Sequence, residues 1–181
     1  MHYPAQLFPL KNGAVVCLKT PEISDAAELL ALAKRLAGET PFLRTAPEEF
    51  PETAEQEANW IRSYDGGPNV LIAVSLEGTL VGTADLVFFP MKKTRHRCEI
   101  GIAIAKEYWG LGIGSLLLDE LIRLAKATPG AEQIELSVAA ENVRAKRLYE
   151  KKGFISVGSI PRALRCTDGS EMAEERMIRA L

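Results

Sequence analysis

Between Ile100 and Ser115 the chain reads Ile-Gly-Ile-Ala-Ile-Ala-Lys-Glu-Tyr-Trp-Gly-Leu-Gly-Ile-Gly-Ser, and no other segment restricts the fold as much. The run Cys98–Ile104 predicts a β-strand, and the apolar residues Leu116, Leu117, Leu121, Ile122, Leu124 and Ala125 recur at helical spacing, which predicts a helix over 112–127. A strand that enters a helix through Gly110, Gly112 and Gly114 makes an anion site. Glycine lets backbone approach a ligand, and the N–H groups of the first helical turn, helped by the helix dipole, can hold a pyrophosphate without a basic side chain. Glycines at alternate positions also serve tight turns and close packing of a helix on a sheet, so they do not settle the ligand by themselves.

The remaining elements are set by period and punctuation. Ala14–Leu18 is a short β-type run ended by Thr20 and Pro21, and a helix is expected from Ser24 and Asp25 onward, with Glu28 three residues after Asp25 as in a capping box. Leu29, Leu32, Ala33 and Leu36 share one helical face, and Gly38 is the expected stop. Residues 40–51, with several prolines, Phe42, Phe50 and Arg44, read as a loop, and Thr53–Tyr64 reads as a second helix closed by Asp65-Gly66-Gly67-Pro68. Val70–Val74 and Leu80–Phe89 form a hairpin turning at Glu77-Gly78. Ile134–Val138 is a strand, 142–152 a short helix, and Phe154–Leu164 and Met172–Ala180 are two last strands. The order β-α-α-β-β-β-α-β-α-β-β specifies an α/β (α+β) fold. Its sheet should have about six to seven strands, mostly antiparallel, with four flanking helices and one strand-helix-strand crossover.

Two nucleotide-binding loops can be tested against the glycines. A Walker loop needs G-x-x-x-x-G-K-[ST], and no lysine stands at that place; a Rossmann loop needs an acid at the end of the next strand, which instead ends Ser137-Val138-Ala139-Ala140. Neither pattern fits.

The segment C-terminal to the loop is more specific: Ile134-Glu135-Leu136-Ser137-Val138, then Asn142-Val143-Arg144-Ala145-Lys146-Arg147-Leu148-Tyr149-Glu150-Lys151-Lys152-Gly153-Phe154. A strand with W-G-L-G-I-G, joined at this distance to N-x-x-A-x-x-L-Y-x-x-x-G-F, closely resembles the GNAT superfamily of N-acetyltransferases. The resemblance covers residues about 70–164. One departure is visible: where the family usually has Arg or Gln at the first position of its R/Q-x-x-G-x-G/A signature, this chain has Trp109, which leaves the pyrophosphate to backbone amides.

The resemblance implies acetyl-CoA as cosubstrate and a splayed strand pair that admits its pantetheine arm. Ile102, Ala103 and Ile104 would face the arm as an added strand does, and Trp109, Gly110, Leu111, Gly112, Ile113, Gly114 and Ser115 would surround the pyrophosphate. Asn142 would bond the arm from the other side; its structural alternative is the N-cap of the helix that starts there. Tyr149 would be the acid that protonates the departing thiolate, against the alternative of an aromatic packed beside Leu148. Glu99 is the candidate base for the amine, directly or through water, with His96 as another; Glu99 could instead pair with Arg95 or Arg97. The reaction implied needs no metal and no acyl-enzyme, and a strand N–H near Ile102 would hold the oxygen of the tetrahedral intermediate. Phe42, Arg44, Trp60 and Arg162 are candidates for the acceptor pocket. A GNAT-fold domain that binds CoA without transferring acetyl is the rival reading.

Composition narrows the partners. A chain of 181 residues, 47% hydrophobic and 25% charged, suits one soluble globular domain, here an N-acetyltransferase domain over residues 1–181. With 22 basic and 24 acidic side chains and a net charge of −2, no nucleic-acid partner is expected, and the run Lys92-Lys93-Thr94-Arg95-His96-Arg97 reads as a solvated loop. The sequence shows neither a signal-peptide pattern nor a membrane-span-length apolar run, so a cytoplasmic protein with no membrane partner is expected. Cys17, Cys98 and Cys166 have no metal or disulfide spacing and are expected to be small buried hydrophobes. The acceptor would be a small-molecule or peptide amine, its acidic host mildly favouring a cation, and a homodimer is suggested by the resemblance alone.

Overall fold

The computed structural model describes all residues from Met1 to Leu181. They form two compact units, Met1–Val87 with Gly101–Leu117, and Phe88–Ile100 with Leu118–Leu181.

In the first unit the strands β1 (Gln6–Pro9), β2 (Val15–Lys19), β3 (Val70–Leu76) and β4 (Thr79–Phe88) lie side by side in chain order, followed by the Gly101–Ile104 half of β5 (Arg97–Ile104). The first four pair antiparallel, with Leu7 opposite Cys17, Cys17 opposite Ser75 and Leu71 opposite Asp85. The β3–β4 turn is built by Glu77 at φ 51° and Gly78 at φ 84°, two left-handed residues in succession, as the twist of a two-residue hairpin requires. β1 makes the strand count eight, not six to seven. Its four residues, QLFP, are too few to show an alternation, and its proline sits at the end of an edge strand, where no ladder N–H is needed.

Two helices cover this unit, α1 (Ala26–Glu39) and α2 (Ala54–Arg62). Leu29, Leu32 and Leu36 of α1 and Ala58 and Ile61 of α2 pack with Leu71, Ala73, Leu80 and Ala105, with Leu43 from the intervening loop set against them. Each fully buried leucine contributes about 1.5–3 kcal/mol over an exposed one. Thr53 is the N-cap of α2, its hydroxyl accepting from Gln56 N–H in a capping box. At α1 the structure corrects two details. The capping box joins Glu22 and Asp25 around a short 3-10 turn, while the Glu28 carboxylate accepts from Leu80 N–H at 3.0 Å, tying the helix to the start of β4. Gly38 does not stop the helix, which continues to Glu39, because a glycine in a last turn costs only about 1 kcal/mol.

In the second unit the Arg97–Ile100 half of β5 is followed by β6 (Gln133–Ala139), β8 (Glu171–Ala180) and β7 (Ile155–Arg165). β5 and β6 pair in parallel over Arg97–Glu99 and Gln133–Glu135, the one parallel ladder in these registers, and α3 (Ile113–Ala127) makes the crossover between them. α4 (Val143–Lys151) leads into β7. Of the cysteines, Cys98 is buried and burial pushes its thiol up to about 12, but Cys17 and Cys166 are half-buried, against expectation. No helix is long and apolar enough to cross a membrane.

At Gly82 on β4 an added methyl group would lie 2.7 Å from the carbonyl oxygen of Ala103 on β5. Backbone cannot yield as a side chain can, so Gly82→Ala is expected to destabilise the protein by about 1–3 kcal/mol in denaturant unfolding. An unchanged midpoint would refute the tight β4–β5 approach.

Candidate active site

The glycine loop of the first unit is fixed at its entry. β5 is followed by the fully buried Ala105, whose N–H donates to Val81 O at 2.9 Å. A 3-10 turn over Lys106–Tyr108 comes next; Lys106 N–H donates to the Glu39 carboxylate at 2.7 Å, and Arg35 meets Glu107 at 3.3 Å, so the C-terminal turn of α1 holds the loop from below. The indole N–H of Trp109 donates to Ile104 O at 2.6 Å, folding the loop back on its own strand. That bond accounts for a tryptophan at this position: it braces the turn, with its N–H directed to protein backbone.

Gly110 and Gly112 then adopt φ of 84° and 94°, the left-handed region that only glycine enters freely. No atom lies within 4 Å of a Cβ built at either position, so the need for glycine there is conformational and not a matter of crowding. Leu116 N–H donates to Gly112 O at 3.1 Å, which opens α3 and leaves the amides of Ile113, Gly114 and Ser115 ahead of the first bond of the helix. Ile113 is buried and pins this turn, while Gly110 and Gly112 are exposed. A helix N-terminus presented in this way stabilises an anion through its N–H groups and dipole. Ile102, Ala103 and Ile104 are half-buried on β5 beside it.

The acceptor candidates of this unit lie on the loop after α1 and on α2. Phe42 is half-buried with its N–H on Thr40 Oγ1, Arg44 is exposed in the same loop, and Trp60, on α2, packs edge-on against Tyr64 with ring centroids 5.5 Å apart. Sequence patterns did not single out the pair of groups next to Trp60. The Tyr64 hydroxyl donates to Asp85 Oδ2 at 3.4 Å, and the other oxygen of Asp85 fills the space where Gly101 lacks a side chain. The available signal was one acid inside the apolar strand LVGTADLVF.

In the second unit Asn142 is the N-cap of α4, its Oδ1 accepting from Ala145 N–H at 3.1 Å, so the structural alternative for this residue is realised. Tyr149 lies on the same helix, its ring 5.9 Å from that of Phe154, and burial pushes its phenol up to about 12. It therefore remains protonated at neutral pH, the state an acid needs before it can donate. Glu99 is half-buried on β5 opposite Glu135. The alternative of an ion pair with Arg97 is not realised: that guanidinium reaches Glu135 at 3.1 Å and lies over the Phe89 ring at 4.9 Å. His96 gives its carbonyl to the N–H groups of Glu132 and Gln133, and the basic run turns tightly on Met91 O. Arg162, at φ 54°, is bound with Arg165 to Glu171 within the β7–β8 hairpin.

A strand-glycine turn-helix site of this form and the asparagine-capped helix after the next strand are the two signatures of one family, and the profile of the Acetyltransferase (GNAT) family matches residues 34–154. The chain belongs to that family. It is similar to an acetyltransferase of the GNAT family from Streptococcus pneumoniae, with a TM-score of 0.86, 29% identity, and coverage of 92% of this chain and 99% of that one. Among curated relatives it is 26% identical over 113 residues to spermidine N(1)-acetyltransferase of Vibrio cholerae, spanning 62% of this chain. It is 25% identical over 83 residues to the L-amino acid N-acetyltransferase AaaT of Escherichia coli, spanning 46% of this chain. The matches span 63% and 51% of the lengths of those two relatives.

The phenol of Tyr149 gives a pH signature. Its pKa is raised from 10.0 to about 12 in the folded state, so the folded protein holds this proton where the unfolded chain has lost it. The stabilisation is complete below pH 10.0 and disappears as pH rises toward about 12. Unfolding midpoints measured across that interval should fall more steeply for wild type than for Tyr149→Phe; parallel curves would remove the shift.

Proposed function

We propose that residues 1–181 form one N-acetyltransferase domain that moves the acetyl group of acetyl-CoA directly to a primary amine of a small molecule or peptide, in a ternary complex without an acyl-enzyme. The observation that carries this reading is the glycine turn at 110–112 opening α3, with its N–H groups ahead of the first helical bond, in a chain of the GNAT family. The amides of 110–115 would hold the pyrophosphate of acetyl-CoA, with Trp109 bracing the turn through Ile104 O. The main chain of Ile102, Ala103 and Ile104 would bond the pantetheine arm, and Asn142, besides capping α4, would contribute its amide to the same ligand.

The chemistry proposed is one acyl transfer. The amine, after losing a proton to Glu99, His96 or water, attacks the thioester carbonyl carbon. Negative charge develops on the carbonyl oxygen and is met by backbone N–H near Ile102. The nitrogen gives up its second proton to the same base or to water, the carbon–sulfur bond breaks, and the sulfur takes a proton from Tyr149, whose phenol is neutral at physiological pH and is then reprotonated from water. The two curated relatives are named for spermidine and for L-amino acids, which supports an amine acceptor and leaves its identity open between polyamines, amino acids and peptides. Cytoplasmic residence and a homodimer belong to the same proposal.

Free thiol released from acetyl-CoA, measured against polyamines, aminoglycosides, amino acids and peptides, tests the reading. One amine should support turnover, and Tyr149→Phe should lower kcat by about 10²–10⁴-fold, the usual contribution of a positioned acid. Acetyl-CoA binding with no turnover on any amine would favour the CoA-binding domain without transfer; no binding of acetyl-CoA would overturn the proposal.

A further inference from the structure

The second unit has a cleft that acetyl transfer does not use. β7 pairs with β8 no further than Ile155 opposite Ile178, whereas β8 continues along β6, with Arg179 opposite Ile134 and Ala180 opposite Gln133. The sheet loses one strand at this corner. The cleft left there, about 620 Å³, has Lys151 and Gly153 from the end of α4, Ile155 from β7, and Ile178 and Arg179 from β8 in its wall. Lys152 also lines it, but its ammonium is paired with Asp119 of α3 at 2.6 Å.

The guanidinium of Arg179 is placed here by a missing side chain. Gly153, at φ 83°, closes α4, and a Cβ built on it would lie 3.2 Å from Arg179 Nη1. The helix end does not complement that charge: the carbonyls of Leu148, Tyr149 and Glu150 accept from the main-chain N–H groups of Lys152, Gly153 and Phe154. Arg179 Nε is buried and has no hydrogen-bond partner, and neither Arg179 nor Lys151 meets a carboxylate. A buried donor left without an acceptor costs about 1–3 kcal/mol, and more when it is charged. The corner thus holds two cations, one of them partly desolvated, beside an opening.

We propose that this corner of the second unit binds an organic oxyanion, with its phosphate or carboxylate head on Arg179 and Lys151 and its apolar body along Ile155 and Ile178. A guanidinium presents a planar fork that fits two oxygens of either head group, and a lysine on a flexible stem adds a second charge. The cleft is far larger than a bare head group needs and falls in the size range of small-molecule sites, which leaves room for the body. Ile155, 62% exposed, offers that body an apolar surface. The site shares no residue with the glycine turn, Asn142 or Tyr149, so it stands or falls apart from the acetyl-transfer reading.

Proton–nitrogen NMR spectra of the whole protein, titrated with phenyl phosphate, benzoate and uncharged benzyl alcohol, test the site. At least one anion should shift the Arg179 Nε–H and Gly153 N–H resonances, and benzyl alcohol should not; which anion does so identifies the head group. Arg179→Gln should weaken that anion by about tenfold or more, as expected for loss of a hydrogen bond to a charged group. Lys151→Glu, a reversal at an exposed position outside the core, should weaken it by about threefold or more and carries the test if Arg179→Gln fails to fold. The proposal is overturned if neither anion shifts these resonances, if the shifts are confined to the amides of 110–115, or if benzyl alcohol produces the same shifts. Unchanged affinity in Lys151→Glu or in folded Arg179→Gln would overturn it as well.

Discussion

The geometry of the glycine loop depends on how residues 105–109 are held. Ala105 N–H is bonded to β4, Lys106 N–H to a carboxylate at the end of α1, and the indole of Trp109 to the last carbonyl of β5. Three unrelated elements thus fix five consecutive residues before the chain reaches two left-handed glycines. An anion site made of backbone amides has no long side chain that can adjust to its ligand, so its precision has to come from such bracing. Where the family commonly has a basic or amide residue, Trp109 adds rigidity to the turn through its bond to Ile104 O.

The same economy is seen where β4, β5 and the end of α2 meet in the first unit. Gly82 allows the Ala103 carbonyl to approach, and Gly101 allows the Asp85 carboxylate to lie against the strand. Neither glycine has a positive φ; both are required by proximity, in contrast to Gly110 and Gly112, which are required by conformation. Glycines in this protein therefore answer two physical demands, and a sequence reading that treats them alike merges the turn before α3 with the packing of the strands.

Tyr149 and Tyr64 show how environment divides residues of one chemical type. Burial alone raises the phenol of Tyr149, whereas at Tyr64 burial acts together with the charge of Asp85. Both stay neutral, and Tyr64 donates to a carboxylate. Glu99 and Arg97 illustrate the opposite case. Their proximity in sequence suggested an ion pair, but neighbours two apart on a strand share a face without being obliged to bond, and Glu135 on the parallel strand takes the guanidinium.

The order of helices and strands, the 110–115 turn and the cap at Asn142 were legible in the sequence because each is written locally. A 3.6-residue or two-residue period, a φ that demands glycine, and a side chain that reaches its own helix three residues on all act over a few positions. β1 escaped because four residues carry no period, and the exchange of Glu28 from its own helix cap to Leu80 escaped because the partner is 52 residues away. Tyr64 and Asp85 are 21 residues apart, and nothing local in either α2 or β4 announces that one will donate to the other above a glycine of β5. The sequence by itself thus determined the elements and the glycine turn that opens α3, whose physics is that of a single helix end. Only the tertiary structure decided which carboxylates face which donors, because that depends on strand register and helix packing, and these bring together side chains that no local pattern relates.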